Sequence, residues 1–261
     1  MQEIICQRKS DTSHIRAAVL DFDGTISTLR CGWEQVMEAV MLEQLDGALP
    51  HDELLSLIRA YIDESTGIQT IYQMEWLADQ VKKLCGRTPL DPWDYKDIYN
   101  EKLLQTVNAR IAALADGTAS PETYLVPGSR DFLVELARRG IEIYIASGTD
   151  DVDVQREAEL LGIRQIVTAV KGAPHRRKDC SKEAVIRDIL TGHGLKGEEL
   201  LVAGDGKVEI ILGREAGAVT IGIASDERVF GGHFHPNKLE KLKKAGADYI
   251  AADFTALMER I

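Results

Sequence analysis

The sequence predicts an α/β fold, a doubly wound parallel sheet interrupted after its first strand by an inserted block of helices. Three observations predict it. Residues 17–22 (AAVLDF) are a short apolar run that stops on an acidic, glycine-containing turn, as a buried parallel strand does. Residues 33–114 carry apolar positions at spacings of three and four and no strand pattern. From residue 126 onward, strand-length apolar runs alternate with helical ones.

Taken in order, the first strand leads into helical patterns at 33–45, 52–62, 68–84 and 95–114. Breaks fall at 47–50, at Gly67 and at 89–92, where glycine and proline interrupt the periodicity. The alternating region then predicts a helix at 129–139, a strand at 141–146 (IEIYIA) and a helix at 150–161. A weaker strand at 165–170 and a helix at 181–191 follow. Next come a strand at 199–203, a helix at 208–216, a strand at 219–223 and a helix at 236–245. A strand at Tyr249 and Ile250 and a last helix close the chain. This is the pattern of a Rossmann-like core, expected over 1–26 and 127–261, with a helical cap domain over 27–126. Ligands of such sheets sit beyond the carboxyl ends of the strands.

The 261 residues carry a formal net charge of −11. That balance argues against nucleic acid and anionic membrane as partners, since both need a cationic face. It does not argue against a small phosphate, because one metal ion and one lysine reverse the field inside a pocket. Cys6, Cys31, Cys85 and Cys180 are scattered, with no CxxC and no neighbouring histidines. They read as reduced thiols rather than as a disulfide framework or a zinc site. No run approaches the roughly 20 apolar residues of a membrane span, and no secretory signal is visible, so a cytoplasmic protein is expected.

Four local signals fall at strand ends or helix starts. The first is Asp21-Phe22-Asp23-Gly24-Thr25. Two carboxylates at i and i+2 on a buried strand end repel one another unless a cation or proton holds them. Mg²⁺ suits them, since it takes oxygen ligands and leaves positions for phosphate oxygens. The second is Ser147 in IYIASGTD, whose hydroxyl and following amide fit a phosphate oxygen but, taken alone, fit a helix cap better. The third is Lys182, a cation at a helix start, where the dipole favours anions. The fourth is LLVAGDGKVEI, with Asp205 after a strand and Glu209 four residues on, able to face back toward it. Alone, each also fits a turn, a cap or a surface charge; all four on one sheet edge are not explained that way.

The order DFDGT, SGT, Lys, then GDG with a following acid resembles the haloacid dehalogenase-like (HAD) hydrolase superfamily. The helical insertion resembles that of its phosphoglycolate phosphatase and phosphosugar phosphatase branches. The resemblance implies a Mg²⁺-dependent phosphatase acting on a small phosphorylated metabolite through a phospho-aspartate. Asp21 would be nucleophile and Mg²⁺ ligand. Asp23 would be the general acid/base and offer its carbonyl to the metal. Ser147 and Lys182 would hold the phosphoryl group, with Gly24, Thr25 and Gly148 around it. Asp205 would ligate Mg²⁺ and Glu209 would orient its water. Glu209 stands where the superfamily more often carries Asp, and Lys178 rivals Lys182 for the third motif. Residues 26–33 are expected to pass above Asp21, where Arg30 would bind a second acidic group of the substrate or else lie solvated on a hinge loop. The alternatives are a phosphomutase of the same family and a regulatory module that binds a phosphorylated metabolite without turnover.

Overall fold

The computed structural model describes residues 4–178, 182–229 and 232–259. Its sheet contains β1 (Ile4–Cys6), β2 (Ala17–Leu20), β3 (Glu142–Asp150), β4 (Ala169–Ala173), β5 (Leu200–Gly204), β6 (Val219–Ile223) and β7 (Tyr249–Ala251). They lie in the order β1-β7-β6-β5-β2-β3-β4 and are parallel throughout, except that β1 runs antiparallel to β7 at one edge. The helices are α1 (Trp33–Gln44), α2 (His51–Glu64), α3 (Thr70–Cys85), α4 (Pro92–Ala115), α5 (Ser129–Arg138), α6 (Asp151–Leu160), α7 (Lys182–His193), α8 (Lys207–Glu215) and α9 (Pro236–Ala245). The expected fold class is the observed one.

The alternation of side chains along β2 explains the layering. Ala18 and Leu20 join a core with Phe132 and Leu133 of α5 and Val154 and Ala158 of α6. Ala17 and Val19 face the other way, into a core with Val185, Ile186 and Ile189 of α7. A third cluster seats Ile210 of α8 and Leu242 of α9 against Ile250. All four residues of β2 and all five of β5 are buried, as in strands covered on both faces.

Strand order reverses around β2, which lies between β3 and β5. Leu20 is level with Ile145 on one side and Ala203 on the other. The chain therefore leaves all three strands at one edge, at a topological switch point.

The chain divides into two compact units, one of Met1–Cys31 and Ile111–Ile261, the other of Gly32–Arg110. The helical unit is narrower than the 27–126 expected of a cap. Thr28 N–H donates to Tyr124 O at 2.8 Å and Val126 N–H to Ile26 O at 2.9 Å, so both connecting segments are tied into the sheet-bearing unit. Within the helical unit, Met37, Met41, Ile58, Met74, Leu77 and Tyr99 are buried, and the rings of Tyr61 and Trp76 stack at 3.9 Å.

Some elements differ from expectation. β1 was not foreseen. The strand expected at 165–170 begins at Ala169, because Ile163 and Val167 are buried from a turn whose Ile163 N–H donates to Ala158 O at 2.8 Å. β3 runs on to Asp150, with its pairing to β4 shifting register after Ala146. The expected last helix is a short 3₁₀ turn, Leu257–Glu259, among the described residues. α7 begins at Lys182; Ser181, the expected first residue, and Cys180 lie outside the described residues. Cys6 and Cys85 are free thiols. No described helix is long and apolar enough to cross a membrane.

Gly128 caps α5 with φ 75°, and a Cβ there would lie 2.7 Å from Thr255 N and 3.0 Å from Phe254 C. Gly128→Ala combines left-handed strain with a backbone overlap. It is expected to cost about 1–3 kcal/mol, read by urea unfolding.

Candidate active site

The three strands that end together deliver the first, second and fourth motifs. Asp21 follows β2 and is 6% exposed, its N–H donating to Ala203 O of β5 at 2.9 Å. Asp205 follows β5 and is also buried. Glu209, in the first turn of α8, folds back over Gly204: a Cβ there would lie 2.6 Å from Glu209 Cγ, so only glycine lets this carboxylate approach. Ser147 is buried in the irregular end of β3, with Gly148 half-buried beside it.

Lys182 opens α7 and reaches the nucleophile position. Its Nζ is 2.7 Å from Asp21 Oδ1 and donates to Glu209 Oε1. Burial works against the Lys182 charge, yet Asp21 and Glu209 outweigh it and hold the ammonium above the ordinary lysine range. Burial pushes the Asp21 carboxyl well above its ordinary value; Lys182 opposes this, and Glu209 and Asp205 add to it. Of the two candidate lysines, Lys182 is the one in contact with Asp21.

Asp23 is held by hydroxyls. Its Oδ2 accepts from Thr149 Oγ1 at 2.8 Å and from Ser147 Oγ at 3.2 Å, and Ser147 Oγ accepts in turn from Thr149 N–H at 3.0 Å. Its Oδ1 is buried with no hydrogen-bond partner, as are Glu209 Oε2 and Thr25 Oγ1. Gly24 turns the loop with φ 74° and its carbonyl accepts from Ser225 Oγ at 3.1 Å.

Arg30 does not lie in solvent, one of the two alternatives raised by the sequence. It is 7% exposed, and its guanidinium is committed to α6: Nη2 lies 2.6 Å from Glu157 Oε1 and 3.2 Å from Asp153 Oδ2. Its Nε is 4.0 Å from Asp23 Oδ1. The reason is electrostatic. A fully buried Glu157 needs a cation, and Arg30 supplies a planar fork that matches it.

Sequence reasoning missed Thr149, Glu227 and Lys238. Lys238 Nζ lies 2.7 Å from Asp205 Oδ2 and 2.7 Å from Glu227 Oε1. Thr149 belongs to the same SGT run as Ser147 and was within reach of that signal. Lys238 was not, since it sits in PNKLEKLKKA, a run typical of a solvated helix.

Four carboxylates, Asp21, Asp205, Glu209 and Glu227, thus meet two ammonium groups, and a fifth, Asp23, is held beside them by hydroxyls. Among the described residues, no three acid, histidine or cysteine side chains are gathered closely enough to form a metal cage by themselves. Mg²⁺ uses one or two protein carboxylates plus water and substrate oxygens. The excess negative charge and the buried unpartnered oxygens of Asp23 and Glu209 fit such a cation beside Asp21 and Asp205.

Residues 15–217 match the family described as haloacid dehalogenase-like hydrolase. The chain belongs to that family. Solved structures share the fold. A predicted phosphoglycolate phosphatase from Haemophilus somnus 129pt superposes with TM-score 0.64 at 14% identity, covering 95% of this chain and 99% of that one. A β-phosphoglucomutase from Clostridium difficile gives TM-score 0.63 at 14% identity, covering 93% of each chain. A haloacid dehalogenase-like family protein from Streptococcus pneumoniae gives 0.58 at 20% identity, covering 95% and 98%. No curated protein matches the chain in sequence. This HAD hydrolase therefore shares its fold with enzymes from which its sequence has diverged widely.

Burial pushes Glu157 up to about 7, against the attraction of Arg30. A carboxyl held above its unfolded value binds its proton more tightly in the fold. Its contribution to stability is present at low pH and is lost as pH rises through about 7. Arg30→Met leaves Glu157 buried without its cation. The variant is expected to lose about 3–5 kcal/mol at pH 8 and less at pH 5, where Glu157 is neutral, in paired urea titrations against wild type.

Proposed function

We propose that this HAD hydrolase is a Mg²⁺-dependent phosphatase that hydrolyses a small phosphorylated metabolite through a phospho-aspartate at Asp21. The observation that carries the proposal is the pairing of a buried Asp21 with Lys182 at the sheet's switch point, with a second acid, Asp23, held two residues on. Asp21 attacks phosphorus, and the phosphorus–oxygen bond to the leaving group breaks. Asp23 gives a proton to the departing oxygen. It then takes one from the water that cleaves the acyl phosphate, so that Asp21 is regenerated and inorganic phosphate leaves.

Phosphoryl transfer is won mainly by positioning and by charge around the non-bridging oxygens. Lys182 supplies one point charge there, Ser147 a hydroxyl and Gly148 an amide, while Gly24 and Thr25 shape the loop behind Asp21. Asp21, the Asp23 carbonyl and Asp205 would hold the Mg²⁺, with Glu209 near its water. The ion would offset the charge between a carboxylate nucleophile and an anionic phosphoryl group. The Thr149 hydroxyl fixes the Asp23 carboxylate, so the Ser147 hydroxyl is able to turn from Asp23 to the phosphoryl group.

Three assays check this. Asp21→Asn should retain less than a few per cent of wild-type turnover, because an amide is a poor nucleophile. Activity should vanish with chelator and return with Mg²⁺; full activity after exhaustive chelation would contradict the metal's role. Lys182→Ala should lower kcat/KM by on the order of 10²-fold or more, and Lys178→Ala by less than about tenfold. Phosphate release from a panel of phosphorylated metabolites names the substrate. Isomerisation of a sugar phosphate without net phosphate release would indicate a mutase instead.

A further inference from the structure

Lys238 has no part in the phosphoryl chemistry, yet it is the second lysine of the site. Its side chain is 15% exposed, against 10% for Asp205 and 13% for Glu227. It lies in the first turn of α9, where the helix dipole disfavours a cation. A lysine buried at that end needs specific anions, and two carboxylates stand 2.7 Å away. The helix start is fixed: Pro236 takes the first position, and Lys238 N–H donates to His235 Nδ1 at 3.4 Å.

The segment carrying Glu227 is equally fixed. Ser225 Oγ donates to Gly24 O at 3.1 Å, and His235 N–H donates to Ala224 O at 2.8 Å. A Cβ at Gly24 would overlap Asp205 Oδ2 and lie 3.0 Å from Glu227 Oε1. The cluster thus closes directly against the loop that carries Asp21 and Asp23, with room for glycine alone.

We propose that Lys238, braced by Glu227, is a positioning residue that occupies Oδ2 of Asp205 and leaves one oxygen to meet the cation. The inference rests on the Mg²⁺ reading of the site. A carboxylate with both oxygens available can bind bidentately, which Ca²⁺ accepts because it takes six to eight ligands in loose geometry. Mg²⁺ demands a compact octahedron. Holding one oxygen on an ammonium therefore biases the site toward Mg²⁺. It also keeps Glu227, a further carboxylate within reach, engaged with Lys238.

The test measures cation binding by thermal-denaturation titration of substrate-free protein with MgCl₂ and with CaCl₂. Wild type is compared with Lys238→Met and Lys238→Gln, each checked for folding by circular dichroism. In a folded variant the Ca²⁺ affinity should rise relative to Mg²⁺ by about tenfold or more. A merely structural lysine would lower the unfolding temperature and leave that ratio unchanged, which would overturn the inference. A crystal structure of wild type with Mg²⁺ decides it without a variant. Asp205 should touch the ion through one oxygen while Lys238 keeps the other; a bidentate Asp205 or a displaced Lys238 would overturn the proposal. If wild type bound Mg²⁺ but the ratio did not move, this inference alone would fall. If wild type bound no Mg²⁺, the functional reading would fall with it.

Discussion

Everything at the carboxyl edge of this sheet depends on charge neutralisation. The fold gathers Asp21, Asp23, Asp205, Glu209 and Glu227 where water is largely excluded. Carboxylates so placed are tolerated only with cations between them. Lys182 bridges Asp21 and Glu209, and Lys238 bridges Asp205 and Glu227. Each lysine enters from the start of a helix, Lys182 from α7 and Lys238 from α9. The negative charge left over is what a divalent cation and an anionic substrate would share. Arg30 with Glu157 repeats the pattern one layer back, where the connecting segment meets α6.

How much of this was legible depends on whether backbone position alone fixes a side chain's role. Asp21 and Asp205 were legible because each follows a short apolar run, and the end of a buried parallel strand admits few alternatives. Glu209 was legible because the first turn of a helix four residues on points back toward the strand end, and Gly204 removes the obstacle. Lys182 stood out as a cation at the wrong end of a helix. Lys238 stands at a similar place, but five other lysines and histidines within ten residues hide it, and nothing local reports that Glu227 lies across from it.

The solvated alternative for Arg30 fails for a related reason. The stretch 26–33 was correctly located next to the first motif in sequence, but the direction of a long side chain is decided by its partner. That partner, Glu157, is 127 residues away on a helix whose pattern looks solvated. The fold's errors are of the same kind. The three residues of β1 are too few to show a period, and Ile163 and Val167 are buried from a turn, which mimics a strand. The family match covers residues 15–217, and so both the sheet and the helical insertion.

The central claim is that Asp21 itself carries the phosphoryl group. Acid quenching during turnover, followed by borohydride reduction and peptide mass spectrometry, tests it most directly, because reduction converts an aspartyl phosphate to homoserine. The account predicts homoserine at position 21 in wild type, dependent on substrate and Mg²⁺. Sustained phosphate release with Asp21 unmodified, or with the label on another residue, would contradict it.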